Sequence, residues 1–313
     1  MVGPSFLILV PADRVYPEGS PATKATDVVV PAAASAGAVL RICIDACLGH
    51  LSPNESCWLE TEHPDCLHQT RVSTRRLRAL LSLSRELVRQ DPVAMDLKAR
   101  LRLILRPLGP ARDLDVALAR AHAQEWDPSD VERLERARAQ AYTRVREVLS
   151  GATWKELWAD FERWRYAPGW FEQVADLRDG PARRVTDPAL DRRYRRIVLA
   201  GPQLLTMSEL ALHRLRIEGK KLRYGCQFFD GLYPAAGTVV GEDGEPQSAP
   251  LHLADLIADM QDAFGAFNDY AMARALREEL SLSSGADEAK PTRLECAEAW
   301  ERVAATPPFW RLP

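Results

Sequence analysis

The chain contains 313 residues, of which 46% are hydrophobic and 27% are charged, and its formal net charge at pH 7 is -3. These values are ordinary for a globular protein that can bury a sizeable core. No apolar run reaches the length of a membrane span, and the short apolar run 6–10 lacks the preceding cations of a secretory signal. We therefore expect a cytoplasmic protein with no membrane partner.

The six cysteines form no CxxC pair and are too sparse for a disulfide framework. We interpret all six as reduced thiols of a cytoplasmic protein. Cys43 and Cys47 lie one helical turn apart on an apolar face, where cysteine behaves as a small hydrophobic residue. The cysteines and His63 within 43–66 match no zinc-ligand spacing, so neither a metal nor another cofactor is predicted.

The first 30 residues are rich in Pro, Gly, Ala and Thr and predict an N-terminal extension or linker, followed by a domain over 31–313. From about Pro31 the spacing of apolar residues is helical, and no segment shows convincing strand alternation. Predicted helices cover residues 32–50, 65–90, 93–107, 112–125, 129–150, 153–165, 187–200, 208–232, 251–264, 268–281 and 291–304. The predicted fold class is all-α, with helices long enough to form bundles.

Proline and glycine set several predicted helix boundaries. Gly109 and Pro110 predict the end of one helix, with Asp113 placed to cap the next. Pro128 and Pro188 suit the first turns of two further helices, because a first-turn N–H has no partner within its helix.

An internal repeat is the most informative feature of the sequence. Residues 68–78 read HQTRVSTRRLR, and residues 213–223 read HRLRIEGKKLR. Both fit one template: His, two variable residues, Arg, a β-branched aliphatic residue, two variable residues, two cations, Leu and Arg. A second match follows, in which LGPARDLDV at 108–116 corresponds to FGAFNDYAM at 264–272. We therefore infer an internal duplication.

Each half of the duplication, about 31–165 and about 186–313, can hold a bundle of about four main helices. Positive charge is concentrated around the repeated helices. Residues 71–120 carry 12 Lys and Arg against 5 Asp and Glu, and residues 192–223 carry 9 against 2. Residues 242–298 are acidic, with 4 Lys and Arg against 13 Asp and Glu. The overall charge is therefore a poor guide to partners, and the two basic blocks are a better one.

The repeated helices concentrate their cations on one face. On a helical projection each stripe falls within about 100°, and the stripes are His68, Arg71, Arg75 and Arg78, and His213, Arg216, Lys220 and Arg223. The first stripe continues to Arg85 and Arg89, and no Asp or Glu occurs between Arg71 and Arg85. This pattern disfavours an ordinary solvated helix face of mixed charge. Because guanidinium groups match phosphate oxygens as bidentate donors, we predict that these faces bind a phosphate-rich polyanion.

The motifs at 68–78, 108–116 and 213–223, in this order, resemble the CHAD family. This is a histidine-bearing α-helical domain often encoded beside or fused to CYTH triphosphate-tunnel domains. The resemblance covers about residues 32–305. It implies two pseudo-symmetric four-helix bundles around a basic central pore that binds inorganic polyphosphate, and it suggests polyphosphate granules as a partner and location. The strand motif of a CYTH domain is absent, so the catalysis that such a domain would supply is not expected.

The resemblance also implies the contact residues. Carried over by motif, they are His68, Arg71, Arg75, Arg76, Arg78 and Arg112 in the first half, and His213, Arg216, Lys220, Lys221 and Arg223 in the second. A further basic turn, formed by Arg192, Arg195 and Arg196, is expected to line the same surface. The Arg112-Asp113 pair has Asn268-Asp269 as its counterpart, so the first half should contribute more positive charge.

Two alternatives stay open. The spacing of His213 and Arg216 loosely resembles a histidine phosphotransfer helix, and the same cations would attract a nucleic-acid backbone. Against nucleic acid, the tryptophans within 154–170 are not interleaved with the basic stripes, and a position in the core suits them better.

Neighbouring cations should lower the pKa of either histidine and favour a neutral imidazole. Without a Ser/His/Asp set, Walker loop or zinc signature, no enzymatic activity is predicted.

Overall fold

The computed structural model describes residues 20–241, 244–284 and 291–312, which are predominantly helical. The helices are α1 (Ala36–Thr61), α2 (Pro64–Leu83), α3 (Arg85–Val88), α4 (Pro92–Ile104), α5 (Leu108–Ala123), α6 (Pro128–Ser150), α7 (Ala152–Arg165), α8 (Ala175–Asp179), α9 (Arg183–Ala200), α10 (Glu209–Phe229), α11 (Ala249–Leu280) and α12 (Arg293–Ala305). A small antiparallel hairpin pairs β1 (Thr238–Val240) with β2 (Pro246–Ser248). The predicted all-α class is confirmed apart from this hairpin. Within the described ranges, none of the helices has the length and apolarity needed to cross a membrane.

Side-chain caps and first-turn prolines begin several of these helices. Ser35 accepts a hydrogen bond from the Ala38 N–H at the start of α1. Asp127 accepts one from Ser129 at the start of α6, which carries Pro128 in its first turn. Each cap satisfies a backbone donor that the helix itself leaves without a partner. The predicted start at Pro128 is therefore confirmed.

Other predicted boundaries were wrong. Gly109 and Pro110 lie in the first turn of α5, and Asp113 lies inside that helix and does not cap it. Pro110 is tolerated because first-turn N–H groups have no helical partner. Pro188 lies inside α9, which begins at Arg183. Residues on both sides of Pro188 are buried, so tertiary packing offsets the hydrogen bond that the proline removes.

The two helices predicted over 251–264 and 268–281 are one continuous helix, α11. Gly265 lies within it and does not end it. A Cβ on Gly265 would lie 3.2 Å from Nη2 of Arg216, so this glycine makes room for a side chain of α10. The corresponding part of the first half is divided into α4 and α5, and Pro107 stands between them.

The two basic helices lie at the centre of the packing. α2 packs against α1 and α10, and α10 packs against α9 and α11. A large buried apolar cluster includes Leu80 of α2, Leu97 of α4, Leu222 of α10 and Ile257 of α11. Burial of this surface is the main stabilising contribution, and it holds α2 and α10 against each other.

The interpretation of all six cysteines as reduced thiols was wrong for two of them. Cys57 Sγ is bonded to Cys66 Sγ, with the two Cα atoms 6.1 Å apart. The bond is possible because only residues 62–63 separate α1 from α2, which brings the end of one helix to the start of the other. Cys43 and Cys47 are free and buried, which confirms their predicted core position.

Residues 20–30 pack along the helices, and the rest of the predicted extension lies outside the described residues. Val28 and Val30 are buried in the large apolar cluster. The Thr23 N–H donates a hydrogen bond of 3.0 Å to Asn54 Oδ1, and Ser20 Oγ donates one of 3.0 Å to Asp65. These contacts fix the segment beside the start of α2.

Candidate functional site

A cleft opens where α2 and α10 meet, with an empty volume of about 1260 Å³ that includes the solvent at its mouth. Side chains from α2, α5, α10 and α11 and from the segment around Lys24 form its walls. We call it the cationic cleft, and its basic and histidine side chains from the repeated motifs are His68, Arg75, Arg112, Arg216, Lys220 and Arg223. The sequence prediction that both repeats contribute to one surface is met by these six residues.

Arg75 and Lys220 occupy equivalent positions in the repeat, and both line this cleft. Arg75 Nε donates a hydrogen bond of 3.1 Å to the hydroxyl oxygen of Tyr224, so the first basic helix is tied to the second. Had the repeats faced opposite sides of the molecule, a shared site would have been impossible.

Arg71 and Arg216, again equivalent in the repeat, each pack against a glycine of the second motif. A Cβ on Gly109 would lie 3.4 Å from Arg71 Nη1, and a Cβ on Gly265 would lie 3.2 Å from Arg216 Nη2. Arg216 Nε also donates a hydrogen bond of 3.3 Å to the backbone oxygen of Gln261. Arginine and glycine therefore lie next to each other at equivalent positions of both halves, and at Gly265 the approach is closer than an ordinary Cβ contact.

Like charges crowd the Arg71 guanidinium. Burial, with smaller contributions from Arg75 and Arg112, lowers its pKa to about 10 against the opposing effect of Asp113. Burial also raises the pKa of Asp113 despite Arg71, and Asp269 adds to the rise. The cleft itself is lined by two carboxylates, Asp65 and Asp262, against five Arg and Lys side chains of the repeated motifs.

His68 is held neutral. Burial lowers its pKa to about 4, and Arg112, Arg75 and Arg71 contribute to the shift. A neutral imidazole at His68, as the sequence predicts, can take part in hydrogen bonds without adding charge. His213, its counterpart, is exposed and lies outside the cleft, with Nδ1 at 3.1 Å from Asn268 Oδ1.

Lys220 lies among guanidinium groups. Burial lowers its pKa to about 6, and Arg75, Arg216, Arg223 and Arg71 reinforce the shift in that order. Among the described residues its ammonium group has neither a hydrogen bond nor an ion pair. The cleft therefore holds a half-buried amine in a strongly positive field.

Besides His213, four predicted contacts in the repeated helices are absent from the cleft lining, and one of them, Arg71, packs against Gly109. Arg76 is buried and lies over the ring of Phe228, at 4.9 Å from its centroid. Lys221 donates a hydrogen bond of 2.7 Å to Glu218, on another side of α10. Arg78 is exposed and is absent from the cleft lining.

The further basic turn is engaged in ion pairs with acids. Arg192 lies 3.9 Å from Glu86, Arg195 lies 2.6 Å from Asp191, and Arg196 lies 3.0 Å from Glu218. These three residues do not line the cationic cleft. Their positive charge is partly neutralised within the protein.

Sequence reasoning missed the other cleft residues, which include the donors of Lys24, Tyr224 and Gln261 and two carboxylates, Asp65 and Asp262. Tyr224 follows the second basic motif directly, so a motif longer by one residue would have included it. Gln261 is 3% exposed, and its Nε2 has no hydrogen-bond partner in the described part of the chain. Lys24 comes from the segment predicted to be an extension, where no sequence pattern marks it.

The chemistry of the cleft favours anions over metals. Over residues 20–241, 244–284 and 291–312, no group of three or more His, Cys, Asp or Glu side chains could hold a metal ion. The guanidinium groups and the unpartnered amide of Gln261 present hydrogen-bond donors instead. Such an arrangement can bind several oxygen atoms of one negatively charged ligand.

Comparison with known proteins identifies the family. A family model for the CHAD domain matches residues 42–278. The crystal structure of the CHAD domain from the plant Ricinus communis is similar, with a TM-score of 0.68 and 22% identity over 94% of this chain and 98% of that one. PptA from Streptomyces chartreusis has a TM-score of 0.51 and 15% identity, over 87% of this chain and 94% of that one. No curated protein matches the chain. Because the family model spans most of its length, the chain belongs to the CHAD domain family.

Proposed function

We propose that this protein binds inorganic polyphosphate in the cationic cleft, without catalysing a reaction on it. The observation that carries the proposal is the convergence of Arg75 and Arg112 from one half with Arg216, Lys220 and Arg223 from the other. Arg112, Lys220 and Arg223 have no hydrogen bond or ion pair with an acid among the described residues. A polyanion would relieve the mutual repulsion of the guanidinium groups in the cleft and provide acceptors for donors that now lack partners.

The two-bundle arrangement and the basic pore belong to the same proposal. The contact of Arg71 with Gly109 and that of Arg216 with Gly265 support an approximate two-fold relation between the halves. In that arrangement the cationic cleft would be one part of the pore. A linear polyphosphate carries one negative charge on each interior phosphate, so a single chain can contact cations from both halves of the protein at once.

The alternatives receive less support. Trp154, Trp164 and Trp170 are buried, so their rings are unavailable for stacking on nucleic-acid bases. His213, whose spacing to Arg216 resembles a phosphotransfer helix, lies outside the cleft beside Asn268. We therefore retain polyphosphate as the proposed ligand over DNA, RNA or a phosphorelay partner.

Competition binding tests the proposal. Labelled long-chain polyphosphate is bound to the protein at moderate salt and displaced by unlabelled polyphosphate or by double-stranded DNA matched in total charge. We expect polyphosphate to displace the label at a concentration at least tenfold lower. Equal displacement would indicate a general polyanion surface and would contradict the proposal.

A pair of variants locates the binding surface. Replacing Arg75 and Lys220 by Ala should reduce polyphosphate affinity by at least tenfold and leave the helical circular-dichroism signal intact. The matched control replaces Arg136 and Arg144, two exposed cations of α6, by Ala and removes the same formal charge away from the cleft. If both variants lost affinity equally, long-range attraction alone would explain binding and the cleft assignment would be wrong.

A further inference from the structure

Among the cleft-lining residues of the two repeated helices, one equivalent pair differs in the type of cation it carries. Arg75 in the first half corresponds to Lys220 in the second, and both line the cationic cleft. A guanidinium group stays protonated in proteins, whereas a lysine amine surrounded by like charges and removed from water can lose its proton. Lys220 is therefore the basic side chain of this pair whose charge can respond to a ligand.

Cations outnumber acids around Lys220, although the side formed by α11 is acidic. α2 contributes His68, Arg71, Arg75 and Asp65, α10 contributes Arg216, Arg223 and Tyr224, α5 contributes Arg112 and Asp113, α11 contributes Asp262 and Asp269, and the N-terminal segment contributes Lys24. The acids act mainly on the neighbouring arginines: Asp269 and Asp262 interact with Arg216, and Asp113 interacts with Arg71. They form no ion pair with the Lys220 ammonium group.

We infer that Lys220 takes up a proton when a polyanion enters the cationic cleft, so that the site binds its ligand together with a proton. The inference rests on the proposed function and adds a regulation to it. In the free protein, protonating this amine places a fifth cation among Arg71, Arg75, Arg216 and Arg223. With phosphate oxygens in the cleft, the same protonation gains an attractive partner and a charge-assisted hydrogen bond.

The sign of the pH dependence follows from these two states. The pKa of Lys220 is about 6 in the free protein, and a bound polyanion shifts it back toward its ordinary value of 10.5. Between these values binding consumes a proton, so affinity falls as pH rises. The fall approaches roughly tenfold per pH unit for one proton, by linkage. His68 contributes only at lower pH, because its pKa in the free protein is about 4.

Calorimetry of the whole chain with long-chain polyphosphate tests the inference. Titrations at about pH 8.5, where free Lys220 is neutral and phosphate is fully ionised, are run in two buffers of different ionisation enthalpy. The difference in observed heat gives the number of protons taken up, and we expect roughly one per site. Binding with no proton uptake would overturn the inference and leave the proposed function standing. Absence of binding under all conditions would overturn both.

Two variants assign the proton to Lys220. Lys220→Arg introduces the residue type found at the equivalent position 75, and its guanidinium group is permanently charged. This variant should bind polyphosphate without proton uptake and more tightly than the parent at high pH. Lys220→Met keeps a linear side chain that cannot be protonated, so it should also bind without proton uptake but more weakly at low pH. Proton uptake equal to that of the parent in either folded variant would place the titrating group elsewhere and overturn the inference.

Discussion

Arg75 on α2 donates a hydrogen bond of 3.1 Å to Tyr224 on α10, and this contact joins the two repeated basic helices inside the cationic cleft. Because the Tyr224 oxygen accepts from Arg75, its own O–H remains available to a ligand oxygen. Arg75, Arg223 and Arg76 outweigh the effect of burial and lower the pKa of this hydroxyl, which strengthens it as a donor.

Tyr224→Phe should therefore weaken polyphosphate binding several-fold. The phenyl ring keeps the packing, but Arg75 Nε loses its acceptor, and folding stability should fall by about 1 kcal/mol. Isothermal titration gives the affinity, and thermal unfolding gives the stability. An unchanged affinity with the expected loss of stability would show that Tyr224 supports the fold only.

Gly265→Ala separates helix stability from ligand binding. A methyl group would lie 3.2 Å from Arg216 Nη2 and push the guanidinium out of position, while alanine improves the propensity of α11 by about 1 kcal/mol. We expect lower polyphosphate affinity with an unfolding temperature that does not fall.

Gly49→Ala is the matched control, because an added Cβ in α1 meets no atom within 4 Å. It should raise stability and leave binding at the level of the parent. Loss of affinity in this control would mean that helix stiffness, and not the position of Arg216, governs binding.

The Cys57–Cys66 bond predicts four titratable thiols in the denatured, unreduced protein, since Cys43, Cys47, Cys226 and Cys296 are free. Reduction should expose all six and lower stability by about 2–3 kcal/mol, the entropy of closing a short loop. Six thiols without reductant would contradict the bond. Its presence also removes the thiol-based argument for a cytoplasmic location.

Polyphosphate affinity should fall steeply and log-linearly with salt. If Arg75, Arg112, Arg216, Lys220 and Arg223 each neutralise one phosphate of a single chain, the slope of log K against log salt should be roughly -3 to -4. Titrations from low to high NaCl measure it. A flat response would point to a small ligand held by hydrogen bonds in place of a chain of phosphates.

Much of the cleft could be predicted because aligning the two copies of the repeat shows which residues are equivalent. One template placed Arg71 with Arg216 and Arg75 with Lys220, and helical periodicity put each pair on a common face. The same periodicity explains where the motif misled. Neighbouring residues are about 100° apart on a helix, so Lys221 turns away from the cleft while Lys220 faces it.

The remaining errors depended on tertiary structure. The bond between Cys57 and Cys66 requires a two-residue connection between α1 and α2, which the predicted helix ends at 50 and 65 did not bring close. Gly265 lies inside α11 and leaves space for Arg216 of α10, so its role is a close approach and not a helix end. Local patterns of glycine and proline do not contain that information.

Crystals grown with long-chain polyphosphate test the central claim most directly. We expect electron density for successive phosphate groups in the cationic cleft, within hydrogen-bond distance of Arg75 on one side and Lys220 on the other. Density confined to another surface, such as the turn containing Arg192, Arg195 and Arg196, with an empty cleft, would contradict the account.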